Sequence, residues 1–319
     1  MKKFILITVA LLMMSAGAKA QVIRSTANPQ YELGLYYKNG DGVEEDPYEA
    51  VKWFKRSAEQ GDADAQRSLG YCYAKGEGVY KDLSEAVKWF KRSAEQGDAK
   101  AQYKLGLCYY NGYGVDKDLS EVVKWWQRSA EQGNASAQFW LGYCYSDGKG
   151  VEEDPYEAMK WFKRSAEQGN ADAQCWLGVC YSEGYGVDED PYEAVNWWRK
   201  SAEQGNVYAQ NDLGYCYAKG EGVTQDLSEA VKWFKRSAKH GNANAQNNLE
   251  ILYKNGDDVD EDPYEAVEWY RKIAEQGNAD AQYELGICYY NGDGVDKDLS
   301  EAVKWFNRSA EQGDADAQF

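Results

Sequence analysis

Histidine is nearly absent from this sequence, and negative charges outnumber positive ones. The only histidine is His240, so a Ser-His-Asp or Cys-His catalytic arrangement occurs once at most, and we expect His240 to be a solvated residue at a helix end. Lysine and arginine number 36 against 53 aspartates and glutamates, for a formal charge of −17. This charge repels nucleic acid and anionic membrane surfaces. We therefore expect basic or neutral partners and no nucleic acid.

Long apolar runs are also missing, apart from one at the N-terminus. Lys2 and Lys3 precede the apolar residues 4–14, and Ala18-Lys19-Ala20 follows as a cleavage pattern. The run is too short to span a bilayer. Residues 1–20 are therefore predicted to be a secretory signal peptide, followed by a short segment, residues 21–27. We expect an exported protein, periplasmic or secreted, without membrane insertion.

A unit of 36 residues recurs through residues 28–319. Because a fixed period of about 20 to 50 residues is typical of stacked-repeat proteins, we predict eight repeats and the start of a ninth. Solenoids usually end in a repeat with a polar outer face, whereas here the ninth repeat stops at Phe319. We expect either that this short segment covers the core of the last repeat or that further residues follow. A glutamine recurs at every stride, at Gln30, Gln66, Gln102, Gln138, Gln174, Gln210, Gln246, Gln282 and Gln318.

Each repeat has the pattern of two helices. The first follows an aspartate or asparagine, such as Asp62, that caps its start, and it ends at a Gly-x-Gly-Val turn. The second starts at an Asp-Pro-Tyr-Glu or Asp-Leu-Ser-Glu capping box, in which the aspartate accepts backbone amides and the glutamate reaches back. Apolar residues at spacings of three and four, such as Leu69 with Cys72, Ala86 with Trp89 and Phe90 with Ala94, indicate the buried faces. One repeat alone buries too little apolar surface to fold, so the repeats must stack.

The consensus of the repeats resembles the Sel-1-like repeat, a branch of the tetratricopeptide group, and reads A-x-A-Q-x-x-L-G-x-C-Y-x-x-G-x-G-V-x-x-D-x-x-E-A-V-K-W-F-K-R-S-A-E-Q-G. The resemblance covers essentially the whole of the chain after the leader. It implies an all-α fold, a right-handed α-α solenoid of helix pairs with the first helices along the concave side. It also implies scaffold or adaptor roles.

The seventh repeat departs from this consensus. Glu250 and Asp258 replace glycines, Leu252 replaces cysteine, and Ile273 replaces serine. We expect a local change in packing or curvature there.

Six of the seven cysteines share one repeat position on the buried face of the first helix. Equivalent positions of stacked helices lie about 8 to 10 Å apart, whereas a disulfide needs Cα atoms within about 7 Å. We therefore predict small buried packing residues rather than disulfides, metal ligands or reactive thiols. The six are Cys72, Cys108, Cys144, Cys180, Cys216 and Cys288.

Two further patterns suggest ligand sites and are better explained as structure. The Gly-x-Gly-Val segment follows a helix and lacks a P-loop lysine, so we predict a turn that needs permissive backbone angles. Acidic linkers such as Asp41–Glu49 and Asp257–Glu265 lack the ligand spacing of a calcium loop. We expect no metal and no cofactor.

A second apolar stripe lies opposite the core stripe of each first helix, one, five and eight residues after the repeat glutamine. In the tetratricopeptide resemblance these positions map to the concave wall that holds peptides. The alternative is that the residues five positions after the glutamine, and Trp140 with Trp176, pack between repeats. The candidate partner-binding residues are Tyr31, Tyr71, Tyr103, Leu107, Tyr110, Phe139, Trp140, Tyr143, Trp176, Tyr215, Tyr283 and Tyr290.

These observations favour an exported, monomeric, non-enzymatic scaffold that binds a protein or peptide in its concave groove. The alternative is a cell-wall or β-lactam hydrolase, which only the cysteine-rich Sel-1-like subgroup suggests. That subgroup carries paired cysteines where this chain has alanine.

Overall fold

The computed structural model of the protein describes residues 28–254 and 263–312. Within these ranges the chain forms sixteen α-helices and no strand, which confirms the predicted all-α repeat solenoid. The predicted signal peptide (1–20), the segment 21–27 and the start of the ninth repeat lie outside the described residues. The helices are α1 (Pro29–Asn39), α2 (Pro47–Glu59), α3 (Ala63–Lys75), α4 (Leu83–Glu95), α5 (Ala99–Asn111), α6 (Leu119–Glu131), α7 (Ala135–Ser146), α8 (Pro155–Glu167), α9 (Ala171–Glu183), α10 (Pro191–Glu203), α11 (Val207–Lys219), α12 (Leu227–Lys239), α13 (Ala243–Lys254), α14 (Pro263–Glu275), α15 (Ala279–Asn291) and α16 (Leu299–Glu311).

The chain divides into two compact units, Met1–Asp98 and Ala99–Phe319. In the first unit α1 to α4 pack in chain order; in the second, α5 to α13 do so, and α14 to α16 pack likewise. Odd-numbered helices are the first helices of their repeats, and even-numbered helices are the second. Within the second unit successive first helices also touch, α9 against α11 and α11 against α13. Each unit is thus a stack of helix pairs.

Helix starts follow the predicted caps. The side chain of Asp62 accepts the amide of Ala65 at 2.8 Å, at the start of α3. The side chain of Asp46 accepts the amides of Tyr48 and Glu49 at 3.0 and 3.1 Å, at the start of α2. These bonds satisfy amides that have no partner within their helix.

The other half of the predicted capping box is wrong. Glu49 does not return to the amide of Asp46, because that amide donates to the carbonyl of Tyr37 at 2.8 Å. Tyr37 lies in the last turn of α1, where carbonyls lack an intrahelical partner. The carboxylate of Glu49 instead accepts from Lys52 at 2.8 Å. The linker between the two helices is therefore closed by a backbone bond.

The two helices of a repeat approach closely at a glycine four residues after the repeat glutamine. A Cβ at Gly142 on α7 would lie 2.8 Å from ring atoms of Phe162 on α8. Phe162 is fully buried. Because the glycine has no side chain, the ring passes beneath α7 towards the surface opposite the core.

The Gly-x-Gly-Val segments are turns, as predicted. Gly76 ends α3 in the left-handed region with φ 78°, and Gly78 follows with φ 69°. A Cβ on Gly78 would collide with the carbonyl oxygen of Pro47 at the start of α2. The turn thus packs onto the preceding repeat, which only glycine allows.

The repeat glutamine connects consecutive helices through its side chain. Gln66 donates to the carbonyl of Ala58 in the preceding repeat at 3.0 Å. It also accepts from Gln96, at the end of its own repeat, at 2.7 Å. Ser93 donates to the carbonyl of Ala63 at 2.7 Å, so the end of α4 is bonded to the start of α3. The fixed stride of the glutamine therefore reflects a structural hydrogen bond.

Packing differs in the seventh repeat, as predicted. Ile273 is buried at the serine position and has no hydroxyl to donate, and Leu252 is buried at the cysteine position. In the preceding repeat Ser237 donates to the carbonyl of Val207 at 2.7 Å. Asp258 and the side chain of Glu250 lie outside the described part of the chain, and the expected change in curvature stays a prediction.

The cysteines are free thiols, and their predicted burial is confirmed at five of the six equivalent positions. Cys288 differs, since it is half-buried. Burial raises the pKa of Cys144 to about 12 and that of Cys288 to about 11. These thiols are therefore protonated at neutral pH, and they pack as small apolar groups.

Candidate partner-binding groove

The twelve predicted groove residues differ in exposure. Phe139 is buried, whereas Trp176, Tyr215 and Tyr290 are 36%, 43% and 53% exposed. The other eight are half-buried. The stripe thus contains buried and half-buried side chains that pack below the surface and three rings that are exposed on it.

Six of these residues come together in the second unit, and two rings from second helices join them. Neighbouring ring centroids lie 5.3 to 6.4 Å apart, in the range of favourable aromatic contact. Leu107 packs beside this group. We call it the aromatic cluster; it contains Tyr103, Tyr110, Trp126, Phe139, Trp140, Tyr143, Phe162 and Trp176.

Trp126 and Phe162 form the floor of the aromatic cluster. The indole of Trp126 donates to the carbonyl of Tyr103 at 3.2 Å, and the ring of Phe162 stacks on Trp176 at 5.8 Å with an interplanar angle of 13°. The sequence pattern assigned the equivalent residue of the second repeat, Phe90, to the buried face of its helix alone. The glycine opposite each ring was the signal that they reach the other face of the first helix, as at Gly142.

The remaining predicted residues are not brought together. Tyr31, Tyr71 and Tyr283 each contact the second-helix ring of their own repeat, with centroids 5.3 to 5.7 Å apart. Tyr143 instead contacts Trp176 on the next first helix, at 6.0 Å. The alternative of packing between repeats therefore holds at Tyr143, and also at Trp140 and Trp176, which contact rings of the preceding repeat. The rings of Tyr31, Tyr71 and Tyr283 pack within their own repeats.

A concave cavity of about 510 Å³ lies beside the aromatic cluster, between α7, α9 and α11. One wall is apolar and aromatic, and the other carries carboxylate, amide and phenol groups. We call it the groove pocket; it is lined by Phe139, Trp140, Asp172, Cys175, Trp176, Val179, Asn206, Tyr208 and Asp212.

Two carboxylates give the groove pocket its charge. Asp172 accepts from the side-chain amide of Asn206 at 3.0 Å, and Asp212 accepts from the side-chain amide of Asn211 at 3.1 Å. Burial raises the pKa of Asp212 above its ordinary value. Burial, followed by the charges of Asp212 and Asp172, raises the pKa of the Cys175 thiol to about 12. The negative charges of both carboxylates are therefore felt at the Cys175 thiol in the groove pocket.

Sequence reasoning missed the polar wall of the groove pocket. Asp212 lies two residues after its repeat glutamine, the position that Trp140 and Trp176 hold in the two preceding repeats. The 36-residue stride, applied to acidic as well as apolar positions, was a sufficient signal to place Asp212 beside Trp176.

The side chains that could serve in catalysis are exposed at a helix end or hydrogen-bonded within their own turn. His240 is exposed at the C-terminal end of α12, as predicted. Sequence reasoning overlooked one Ser-x-x-Lys spacing, Ser146 and Lys149. The hydroxyl of Ser146 donates to the carbonyl of Tyr143 at 3.0 Å. Hydrogen bonds to Asp147 and Tyr143 raise the pKa of Lys149, so its side chain stays protonated at neutral pH and cannot accept a proton from Ser146.

The described residues, 28–254 and 263–312, contain no group of three or more histidine, cysteine, aspartate or glutamate side chains placed to hold a metal ion. None of the helices in those ranges combines the length and apolar character needed to cross a membrane.

Comparison with known proteins places this geometry in a family. A profile of the Sel1 repeat matches eight consecutive segments, residues 30–62, 63–98, 99–134, 135–170, 171–206, 207–242, 243–278 and 279–314. A search of curated proteins found no match.

Solved structures of similar sequence share the fold. The protective antigen c5321 of uropathogenic Escherichia coli strains, which displays an SLR fold, is 43% identical over 91% of this chain, with a TM-score of 0.81. This chain spans 62% of the length of that protein. A Sel1 repeat protein from Oxalobacter formigenes is 36% identical, with 78% of this chain and 100% of that one covered and a TM-score of 0.67. The eight matched segments and these two structures show that the chain belongs to the Sel1 repeat family.

Proposed function

We propose that this protein is an exported, non-enzymatic scaffold that binds a protein or peptide segment along the first helices of its second unit. Sel1-repeat proteins generally mediate protein–protein interaction. The observation that carries the proposal is the aromatic cluster, which opens into the groove pocket with Trp176 36% exposed.

The aromatic cluster has the composition of an interface hot spot. Tryptophan and tyrosine dominate such sites because a large rigid ring buries apolar area at a small loss of conformational freedom. Here the rings are held in place before binding, since Trp176 stacks on the buried Phe162 and Trp140 contacts Tyr143 at 5.8 Å. A partner therefore meets a preformed surface, which lowers the entropic cost of association.

Export is supported by the signal-peptide pattern of residues 1–20. The similar E. coli protein is described as a protective antigen. The scaffold is proposed to act as a monomer outside the cytoplasm.

The first test is site-specific photo-crosslinking in the native host. A benzoyl-phenylalanine side chain replaces Trp176 in one variant and the exposed Lys163 of α8 in a matched control variant. We expect one protein, identified by mass spectrometry, to crosslink at position 176 and not at 163.

The captured protein is then purified, and its affinity is measured by calorimetry. Removal of a hot-spot ring costs about 2 kcal/mol or more, so Trp176→Ser should weaken binding by about 30-fold or more. An unchanged Kd, or equal crosslinking at both positions, would contradict the groove assignment.

The hydrolase alternative receives no support from this geometry, because Ser146 and Lys149 are occupied within their own turn. We expect the mature protein to leave a chromogenic β-lactam intact. Turnover that a single substitution abolishes would restore that alternative.

A further inference from the structure

We propose that the groove pocket holds an arginine side chain from a basic segment of another protein. This assignment rests on the function proposed above and specifies the chemistry of the partner. The chain is acidic as a whole, with a formal charge of −17, which favours a basic partner.

The second repeat supplies a template for this site within the same chain. Arg67 follows the repeat glutamine by one residue and forms ion pairs with Asp64 on its own helix and Asp98, the residue before α5. Arg67 is half-buried. The fold therefore accommodates a guanidinium at this position, flanked by acidic groups.

The fifth repeat keeps one of the two carboxylates of this site, has an asparagine in place of the other, and lacks the arginine. Three strides of 36 residues lead from Asp64 to Asp172, from Arg67 to Cys175 and from Asp98 to Asn206. Asp172, Cys175 and Asn206 all line the groove pocket. A cavity of about 510 Å³ thus lies where the second repeat places a cationic side chain.

The charge of the groove pocket matches such a side chain. Asp172 and Asp212 each accept from an amide, at 3.0 and 3.1 Å, and neither has a lysine or arginine partner within the described ranges. An ionised carboxylate has about four acceptor sites, so each retains capacity for a further donor. A guanidinium donates to two carboxylates at once through its planar fork.

The aromatic wall favours arginine over lysine. Guanidinium planes stack on indole rings, and arginine is the more common cation in such contacts. This chain uses the same contact elsewhere, with Arg164 lying 4.8 Å from the ring centroid of Trp161. Trp140 and Trp176 line the groove pocket, and Trp176 is partly exposed.

Peptide binding tests the assignment. Fluorescein-labelled decapeptide pools carry arginine, lysine or citrulline at a fixed central position, with all other positions randomised among neutral residues. Citrulline matches arginine in shape and lacks its charge. By fluorescence polarisation the arginine pool should bind about tenfold more tightly than the citrulline pool, the range of a charge-assisted hydrogen bond, with lysine between them.

Three variants identify the site. Asp172→Asn with Asp212→Asn should abolish the preference for arginine, whereas Asp280→Asn with Glu284→Gln, the same charge change at equivalent positions of the eighth repeat, should preserve it. Cys175→Arg should block the arginine pool while the circular dichroism stays unchanged, because Arg67 shows that the fold accepts this residue.

Two results would overturn the assignment: equal binding of the arginine and citrulline pools, including no binding of either, or an arginine preference that survives in Asp172→Asn with Asp212→Asn. If the pools bind equally and Trp176→Ser weakens both, the groove still binds partners and only the arginine assignment fails. If position 176 also captures no partner in the host, the proposed function fails with it.

Discussion

The substitution Gly142→Ala tests how the aromatic cluster is held. The added Cβ would lie 2.8 Å from two ring atoms of Phe162 and 3.2 Å from the carbonyl oxygen of Ala158. Phe162 cannot move freely, because it is fully buried, lies 5.9 Å from Phe139 and stacks under Trp176. Two effects of opposite sign follow from the same methyl group.

Alanine is the better helix former, and in α7 it should stabilise the protein by about 1 kcal/mol relative to glycine. Overpacking of a filled core costs about 1 to 3 kcal/mol. Since the ring of Phe162 and the carbonyl group of Ala158 are both held in place by α8, we expect the cost of overpacking to exceed the gain in helix stability. The free energy of unfolding should therefore fall by up to about 2 kcal/mol, and partner binding should weaken because Trp176 loses its support.

A double-mutant cycle separates the two effects. In a Phe162→Leu background the ring is gone, so Gly142→Ala should change sign and stabilise the protein by about 1 kcal/mol. Urea unfolding followed by circular dichroism measures the global effect. Hydrogen exchange of the α7 and α8 amides measures the local one, which matters because repeat arrays unfold in parts. Stabilisation by Gly142→Ala in the presence of Phe162 would refute the close-approach argument.

Three further predictions concern buried polar groups. At pH 8 a thiol of pKa about 12 such as Cys144 should be alkylated about a thousandfold more slowly than a free thiol, and mass spectrometry should find Cys288 modified first; rapid native labelling of the whole set would contradict the buried packing. The raised pKa of Asp212 means that its stabilising contribution is complete below its unfolded pKa and is lost as pH rises through the raised folded pKa. Asp212→Asn should therefore raise the melting temperature at pH 7 and not below pH 3. Equal shifts of the melting temperature at both pH values would show that ionisation of Asp212 does not destabilise the fold. Ser93→Ala leaves the carbonyl of Ala63 without its 2.7 Å bond and should cost about 1 to 2 kcal/mol in urea unfolding. The control Ser146→Ala, at a half-buried residue whose hydroxyl bonds within its own turn, should cost less than half as much.

Much of the fold follows from the sequence because the signals are local. Asp62 and Gly76 define the ends of α3 through capping bonds that involve only neighbouring residues. The capping box failed in part for the opposite reason. The partner of the Asp46 amide is the carbonyl of Tyr37 on another helix, and a local motif does not contain that carbonyl.

The candidate groove shows the same division. Trp140 and Trp176 are visible as aromatic residues on one helix face. A helical wheel treats each helix alone, so it does not show that Phe162 passes beneath Gly142 and reaches that face. Asp212 was missed because it lies beside Trp176 only when neighbouring repeats are stacked. The 36-residue stride reveals this proximity when charged as well as apolar positions are compared between repeats.

The side-chain bonds of the repeat glutamines bear on how such a protein changes length. Gln138, Gln174 and Gln210 each donate to the carbonyl of an alanine in the preceding repeat at 3.0 to 3.1 Å. Because these junctions are chemically identical, in-frame duplication or loss of a whole unit re-creates a junction that already exists. Gain or loss of whole repeats can therefore lengthen or shorten the array with its interfaces intact, while positions such as Cys175 and Asp212 are left to diverge one copy at a time.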